Sequence, residues 1–127
     1  MSDFDLVKAN AYVVAKTSPN SEVGVSDPAR LQAFVKDLAD SNLSLREEAA
    51  KLFVGLYKGD LFMSMNKRMS WVVTAVFYRM NGFFIDFKDD DIIDLMSLID
   101  NTDKSDEELI EITESFLDNK EFIINEQ

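Results

Sequence analysis

Apolar residues recur at helical spacing along almost the whole chain, and caps, prolines and glycines punctuate the runs. Phe4, Val7, Ala11 and Val14 predict a first helix over about 3–16, and residues 17–25, with Pro19, Asn20 and Gly24, read as a loop. Ser26-Asp27-Pro28 is a helix start, because Ser or Asp can cap free amides and proline fits the first turn. Leu31, Phe34, Val35 and Leu38 then face the core. A third helix begins near Ser44, where Ser44 and Glu47 can form a capping box, and presents Leu45, Ala49, Leu52, Phe53 and Leu56 before Gly59 stops it.

Residues 67–81 predict a fourth helix in which Met69, Trp71, Val72, Val73, Ala75, Val76 and Phe77 leave little polar surface. A helix apolar on nearly every side belongs in the middle of a bundle. Asn81-Gly82 ends it, and 83–87 reads as a short extended segment. Two acidic helices follow over 89–101 and 105–118, the second with a capping box in Ser105 and Glu108 and a stripe of Leu109, Ile112 and Phe116. Residues 120–127 read as frayed or as a loose strand. The prediction is one all-α domain over 1–127, six helices wrapped around a buried fourth.

Composition supports a folded domain. With 46% hydrophobic and 29% charged residues and only four glycines and two prolines among 127, the chain has the make-up of a globular protein. The absence of cysteine removes disulfides, thiolate zinc sites and cysteine nucleophiles together. No run approaches the 18 or so apolar residues of a spanning helix, and the start, MSDFDLVKAN, has acids where a signal peptide is basic. A cytoplasmic protein is expected.

Charge divides the chain. Of the net −11, residues 86–127 hold 15 acids against three bases, leaving nine acids and ten bases in 1–85. That field works against nucleic acid and anionic membranes and would suit a basic partner, although a solvated acidic face is the commoner meaning of such a run. Asp89-Asp90-Asp91 opens a helix, where acids match the dipole, so no metal site is read there.

The segment that bundle formation does not explain is Gly59-Asp60-Leu61-Phe62-Met63-Ser64-Met65-Asn66-Lys67-Arg68. It puts Lys67 and Arg68 in the first turn of the central helix, where cations oppose the macrodipole by a few tenths of a kcal/mol each. A bound anion would reverse that balance, since free amides, the positive dipole end and two bases together form a phosphate cradle. A solvated Lys-Arg pair beside a core helix is equally ordinary.

Residues 60–68 resemble the loop-to-helix motif of the Fic/Doc (Fido) proteins, roughly H-x-F-x-[DEN]-[AG]-N-[GK]-R, at Phe62, Asn66, Lys67 and Arg68. The lysine after the asparagine looks like the death-on-curing (Doc) branch. So does Gly24-Val25-Ser26-Asp27-Pro28-Ala29-Arg30, which is similar to a Doc-type G-x-S-D-P-G-R stretch. The similarity runs from about residue 5 to residue 118 and implies a Fic/Doc-like helical bundle.

The resemblance further implies a bacterial or phage protein of toxin–antitoxin ancestry, using ATP and Mg²⁺ and meeting a small antitoxin or a translation factor. By position, Asn66 and Arg68 are implied as phosphate ligands, Lys67 as a supporting cation and Phe62 as the loop's anchor. Asp60 stands where the family has its catalytic histidine, Ser64 at the metal-side position, and Met65 in place of a small residue. The chain has no histidine at all, so no other imidazole can substitute. Two readings follow. One is a catalytically impaired protein, a pseudoenzyme acting by binding a protein partner and keeping a nucleotide-phosphate site. The other is an active toxin transferring a phosphoryl or nucleotidyl group from ATP to a hydroxyl of a translation factor, with Asp60 as base, since phosphoryl transfer depends mainly on positioning and charge stabilisation.

Overall fold

A computed structural model of the chain describes residues 3–17, 22–85, 87–118 and 121–123, with backbone alone at 3, 4, 17 and 121–123. The packing expected of Phe4, the loop residues Pro19 and Asn20, and the end of the chain beyond 123 lie outside the described residues.

The described elements are α1 (Asp3–Thr17), α2 (Pro28–Asp40), α3 (Leu45–Lys58), α4 (Asn66–Met80), β1 (Phe83–Ile85), α5 (Asp89–Asp100), α6 (Asp106–Asp118) and β2 (Glu121–Ile123). The architecture is all-α with six helices. Among the described residues the helices are accompanied by a ribbon in which β1 and β2 pair antiparallel, Phe84 opposite Phe122, which makes 121–123 the strand among the two outcomes expected there.

Local chemistry sets the helix starts as the sequence suggests. Asp27 caps α2 by accepting from the Arg30 amide. Ser44 and Glu47 form the full capping box of α3, and Ser105 and Glu108 exchange the equivalent bonds at α6, each at 3.2 Å. Such boxes satisfy two orphan donors reciprocally, and both glutamates are held below the usual carboxylate range, chiefly by the backbone bond from their serine.

The centre of the bundle is not α4 alone. The most enclosed helix is α3, whose Ala49, Ala50, Leu52, Phe53, Val54, Leu56 and Tyr57 are all buried. α4 buries Met69, Ser70, Val73, Thr74, Phe77 and Tyr78 but turns Val76 and Met80 to solvent. An apolar composition all round therefore overstated its burial: part of its outer face lines surface clefts instead of packing against another helix.

Two stripes are also rotated from the expected ones. α1 buries Leu6, Asn10, Val13 and Val14, with Val7 and Ala11 only half-buried, because a polar residue, Asn10, is drawn inward by bonds to two loops. α6 buries Leu109, Thr113 and Leu117, a set at i, i+4, i+8, with Ile112 and Phe116 beside it. Thr113 satisfies its hydroxyl on the Leu109 carbonyl, which lets it replace an apolar residue in that stripe.

Two apolar clusters fill the interior. The larger joins α1, α2, α3 and α4 around Leu31, Leu56, Met69 and Tyr78. The second joins Phe53, Val54 and Tyr57 of α3 to Leu95, Ile99 and Leu109 of the acidic helices, with Trp71 against it.

Candidate functional site

The two stretches that carry the sequence resemblance, far apart in the chain, are paired in space. Val25 and Phe62 form an isolated antiparallel bridge. The Ser26 amide donates to the Leu61 carbonyl and the Met63 amide to the Gly24 carbonyl, both at 2.9 Å. Side chains extend the clamp, since the Ser26 hydroxyl donates to the Asp60 carbonyl and the Arg30 guanidinium to the Gly59 carbonyl.

Below this clamp lies Asn10, fully buried. Its Oδ1 accepts from the Gly24 amide at 3.0 Å and its Nδ2 donates to the Ser64 carbonyl at 3.1 Å. One amide therefore satisfies a part-buried backbone group on each loop, which removes the cost of leaving those groups unpaired.

The segment 59–65 needs two unusual backbone conformations to reach α4. Asp60 has φ of 49° and Met65 φ of 64° with ψ of 25°. Asp tolerates the left-handed region, but for methionine it costs about 1–2 kcal/mol. Asn66 holds this turn: its Oδ1 accepts from the Phe62 amide and its Nδ2 donates to the Phe62 carbonyl, each at 3.0 Å. Phe62 itself is buried in the larger cluster.

Above the turn opens a cleft of about 660 Å³ lined by residues of α3, the turn, α4 and α5. It collects Asp60, Met65, Asn66, Lys67 and Arg68 at one end, while Tyr57, Trp71, Val72, Ile92 and Met96 make an apolar remainder. The first-turn amides of a helix have no intrahelical partner, and among the described residues the Met65 side chain does not cap those of α4. The cleft therefore sets the N-terminal end of α4, with Lys67 and Arg68, beside an apolar wall.

The site residues expected from sequence are not equivalent in this geometry. Arg68 is exposed, and its guanidinium has no hydrogen bond or ion pair among the described residues. Lys67 is committed: its ammonium lies 3.0 Å from Oδ2 of Asp100 and 5.5 Å from the centre of the Tyr57 ring. The Asn66 side chain is spent on Phe62, as described, although the residue lines the cleft. Ser64 does not line it, and its hydroxyl donates to the Glu22 carbonyl at 2.6 Å. Asp60 lines the cleft with an exposed carboxylate.

Sequence reasoning missed Tyr57, Asp100 and Trp71. The Tyr57 hydroxyl donates to Oδ1 of Asp100 at 3.1 Å; burial, that bond and the neighbouring negative charge together push its pKa well above the ordinary 10.0 of tyrosine. Trp71 meets Phe53 edge-on at 4.7 Å and Phe87 at 4.8 Å, fixing the cleft's floor. Among the described residues its Nε1 is buried without a hydrogen-bond partner. No sequence motif ties Tyr57 to Asp100, 43 positions away.

Among the described residues, no three acidic side chains are grouped so as to hold a metal ion, and no helix is long and apolar enough to cross a membrane. Comparison with protein-family models finds no match, and comparison with curated proteins finds none either.

Proposed function

We propose that the chain is a Doc-like protein with a degenerate Fic motif that works by binding, holding a nucleotide phosphate in the cleft over α4 and a protein partner on its surface, with catalysis impaired. The observation that carries the first part is the meeting of Asp60, Asn66, Lys67 and Arg68 at an uncapped helix start, next to an apolar wall. The pairing of residues 24–26 with 61–63 supports the resemblance, because both of its stretches contribute to one clamp.

ATP suits the space: a cleft of about 660 Å³ is within the usual range for small-ligand sites. The first-turn amides of α4 and Arg68 would hold phosphate, with the base or ribose against Val72, Ile92 and Met96. Asn66 would contribute through its backbone, its side chain being bound to Phe62. Mg²⁺ finds a poorer donor set, since Ser64 is turned to Glu22 and the first part of the cleft offers one carboxylate, Asp60. Mg²⁺ favours carboxylates and phosphates, so no step is assigned to it.

Calorimetry with ATP tests this reading. Weak binding that falls about tenfold or more in Arg68→Ala is expected, the usual worth of a charged hydrogen bond. No binding at millimolar nucleotide removes the phosphate site and leaves partner binding as the only function proposed.

The second reading, an active toxin transferring a group from ATP to a translation-factor hydroxyl, is favoured by one observation: the Asp60 carboxylate lies in the same cleft as Arg68. Inducible expression separates the two. Growth arrest relieved by Asp60→Ala supports transfer with Asp60 as base, whereas growth unaffected by the unaltered chain rules it out. An adjacent small antitoxin-like reading frame would agree with toxin–antitoxin ancestry under either reading.

A further inference from the structure

We propose that the groove between α5 and α6 is the docking surface for a basic amphipathic helical segment of a partner protein. The inference names a place for the partner-binding half of the reading above and rests on that half alone, not on the phosphate cleft.

The groove, about 260 Å³, is lined by Asp91, Asp94, Leu95 and Leu98 of α5 and by Ile112 and Phe116 of α6. The four α5 residues stand at i, i+3, i+4 and i+7 and so share one helix face. The buried residues of α5 are Leu95 and Ile99, and Leu98 is left 40% exposed. Ile112 and Phe116 are only half-buried because α6 turns Leu109, Thr113 and Leu117 to the core. What remains is an apolar floor that no element of the described chain covers.

Charge selects the occupant. Two carboxylates and no base line the groove, and it lies in the third of the chain where 15 acids face three bases. A partner helix must offer an apolar side chain to Leu95, Leu98, Ile112 and Phe116, and lysine or arginine about a turn away to Asp91 and Asp94. Acidic segments are repelled by the same field. The groove between α1 and α4 differs, since it carries one charge of each sign, Asp5 and Lys8, and selects no sign of partner.

The test uses a labelled helical peptide of about 14 residues, roughly 21 Å long, with a leucine stripe flanked by lysines, and a twin with glutamates in their place. Fluorescence anisotropy with the full chain should show binding of the lysine peptide alone, weakening steeply as salt rises. The Asp91→Asn/Asp94→Asn variant should lose about tenfold in affinity, and Leu98→Ser should also weaken it. Asp106→Asn/Glu107→Gln removes the same charge outside the groove and should leave affinity within about twofold.

Equal losses in both double variants would mean attraction to net charge only and overturn the proposal. So would absence of binding at low salt, or indifference to Leu98→Ser. If sedimentation shows self-association that Leu98→Ser abolishes, the occupant is a second copy of the chain and the proposal fails in that way. ATP calorimetry on the same variants keeps the outcomes separate, since the phosphate cleft can fail while peptide binding holds, and the reverse.

Discussion

The ammonium of Lys67 lies 3.0 Å from Oδ2 of Asp100, joining the first turn of α4 to the last residue of α5. Each charge stands at the unfavourable end of its own helix, a cation at an N-terminus and an anion at a C-terminus. Together they neutralise one another, and the Tyr57 hydroxyl on Oδ1 of the same carboxylate adds α3 to the junction. The consequence for the cleft is selective: Lys67 is occupied, while Arg68 lines the cleft without an ion pair among the described residues and is the cation that would meet the proposed phosphate.

Replacing Asp100 by asparagine should therefore strengthen anion binding. The change frees the Lys67 ammonium and removes a negative charge close to it, so ATP affinity should rise several-fold in calorimetry. The stability cost should stay under about 1 kcal/mol in urea titration, because a pair with both side chains more than a third exposed is worth little. Adding Lys67→Ala should cancel the gain in affinity. An unchanged affinity in Asp100→Asn would remove Lys67 from the anion site.

Tyr57 gives a pH signature. Its folded pKa is raised above the ordinary 10.0, first by burial and then by the bond to Asp100. A raised pKa means that the folded state keeps a proton the unfolded state loses, so the contribution is complete below about pH 10 and declines above it. Urea midpoints taken between about pH 8 and about pH 11 should fall more steeply for the unaltered chain than for Tyr57→Phe. Parallel curves would show that the hydroxyl titrates alike in both states.

The starts of α2, α3 and α6 were legible because each has local chemistry: Asp27 before Pro28, Ser44 with Glu47, Ser105 with Glu108. The cationic start of α4 was legible too, as a charge placed against a dipole. Its partner breaks the same rule, since Asp100 is an acid at the C-terminal end of α5. Asn10 was invisible for a different reason. An apolar-periodicity reading skips polar residues, and what draws Asn10 inward is a pair of loops 14 and 54 positions away. The retention of Asn66 by Phe62 could not be read either, since a motif fixes which residue stands at a position and not which way its amide turns.

Asn10 carries the most direct test of how the two loops are held. Asn10→Ala leaves the Gly24 amide and the Ser64 carbonyl without their partner, and at about 1–3 kcal/mol for each unsatisfied group the loss of stability should reach about 2–4 kcal/mol. Amides that bridge the loops, those of Ser26 and Met63, should exchange with solvent faster than the amides of α3. Asn10→Asp sharpens the argument. Its ionised carboxylate still accepts from Gly24 but faces the Ser64 carbonyl without a proton to donate, whereas the neutral acid restores both bonds. The folded pKa of that carboxyl should thus lie above its unfolded value, so the Asp variant should approach the unaltered chain at acid pH and lose stability as pH rises through the folded pKa. A stability difference between the Asp variant and the unaltered chain that is the same at pH values of about 3.5 and about 7 would contradict this arrangement of the Asn10 amide.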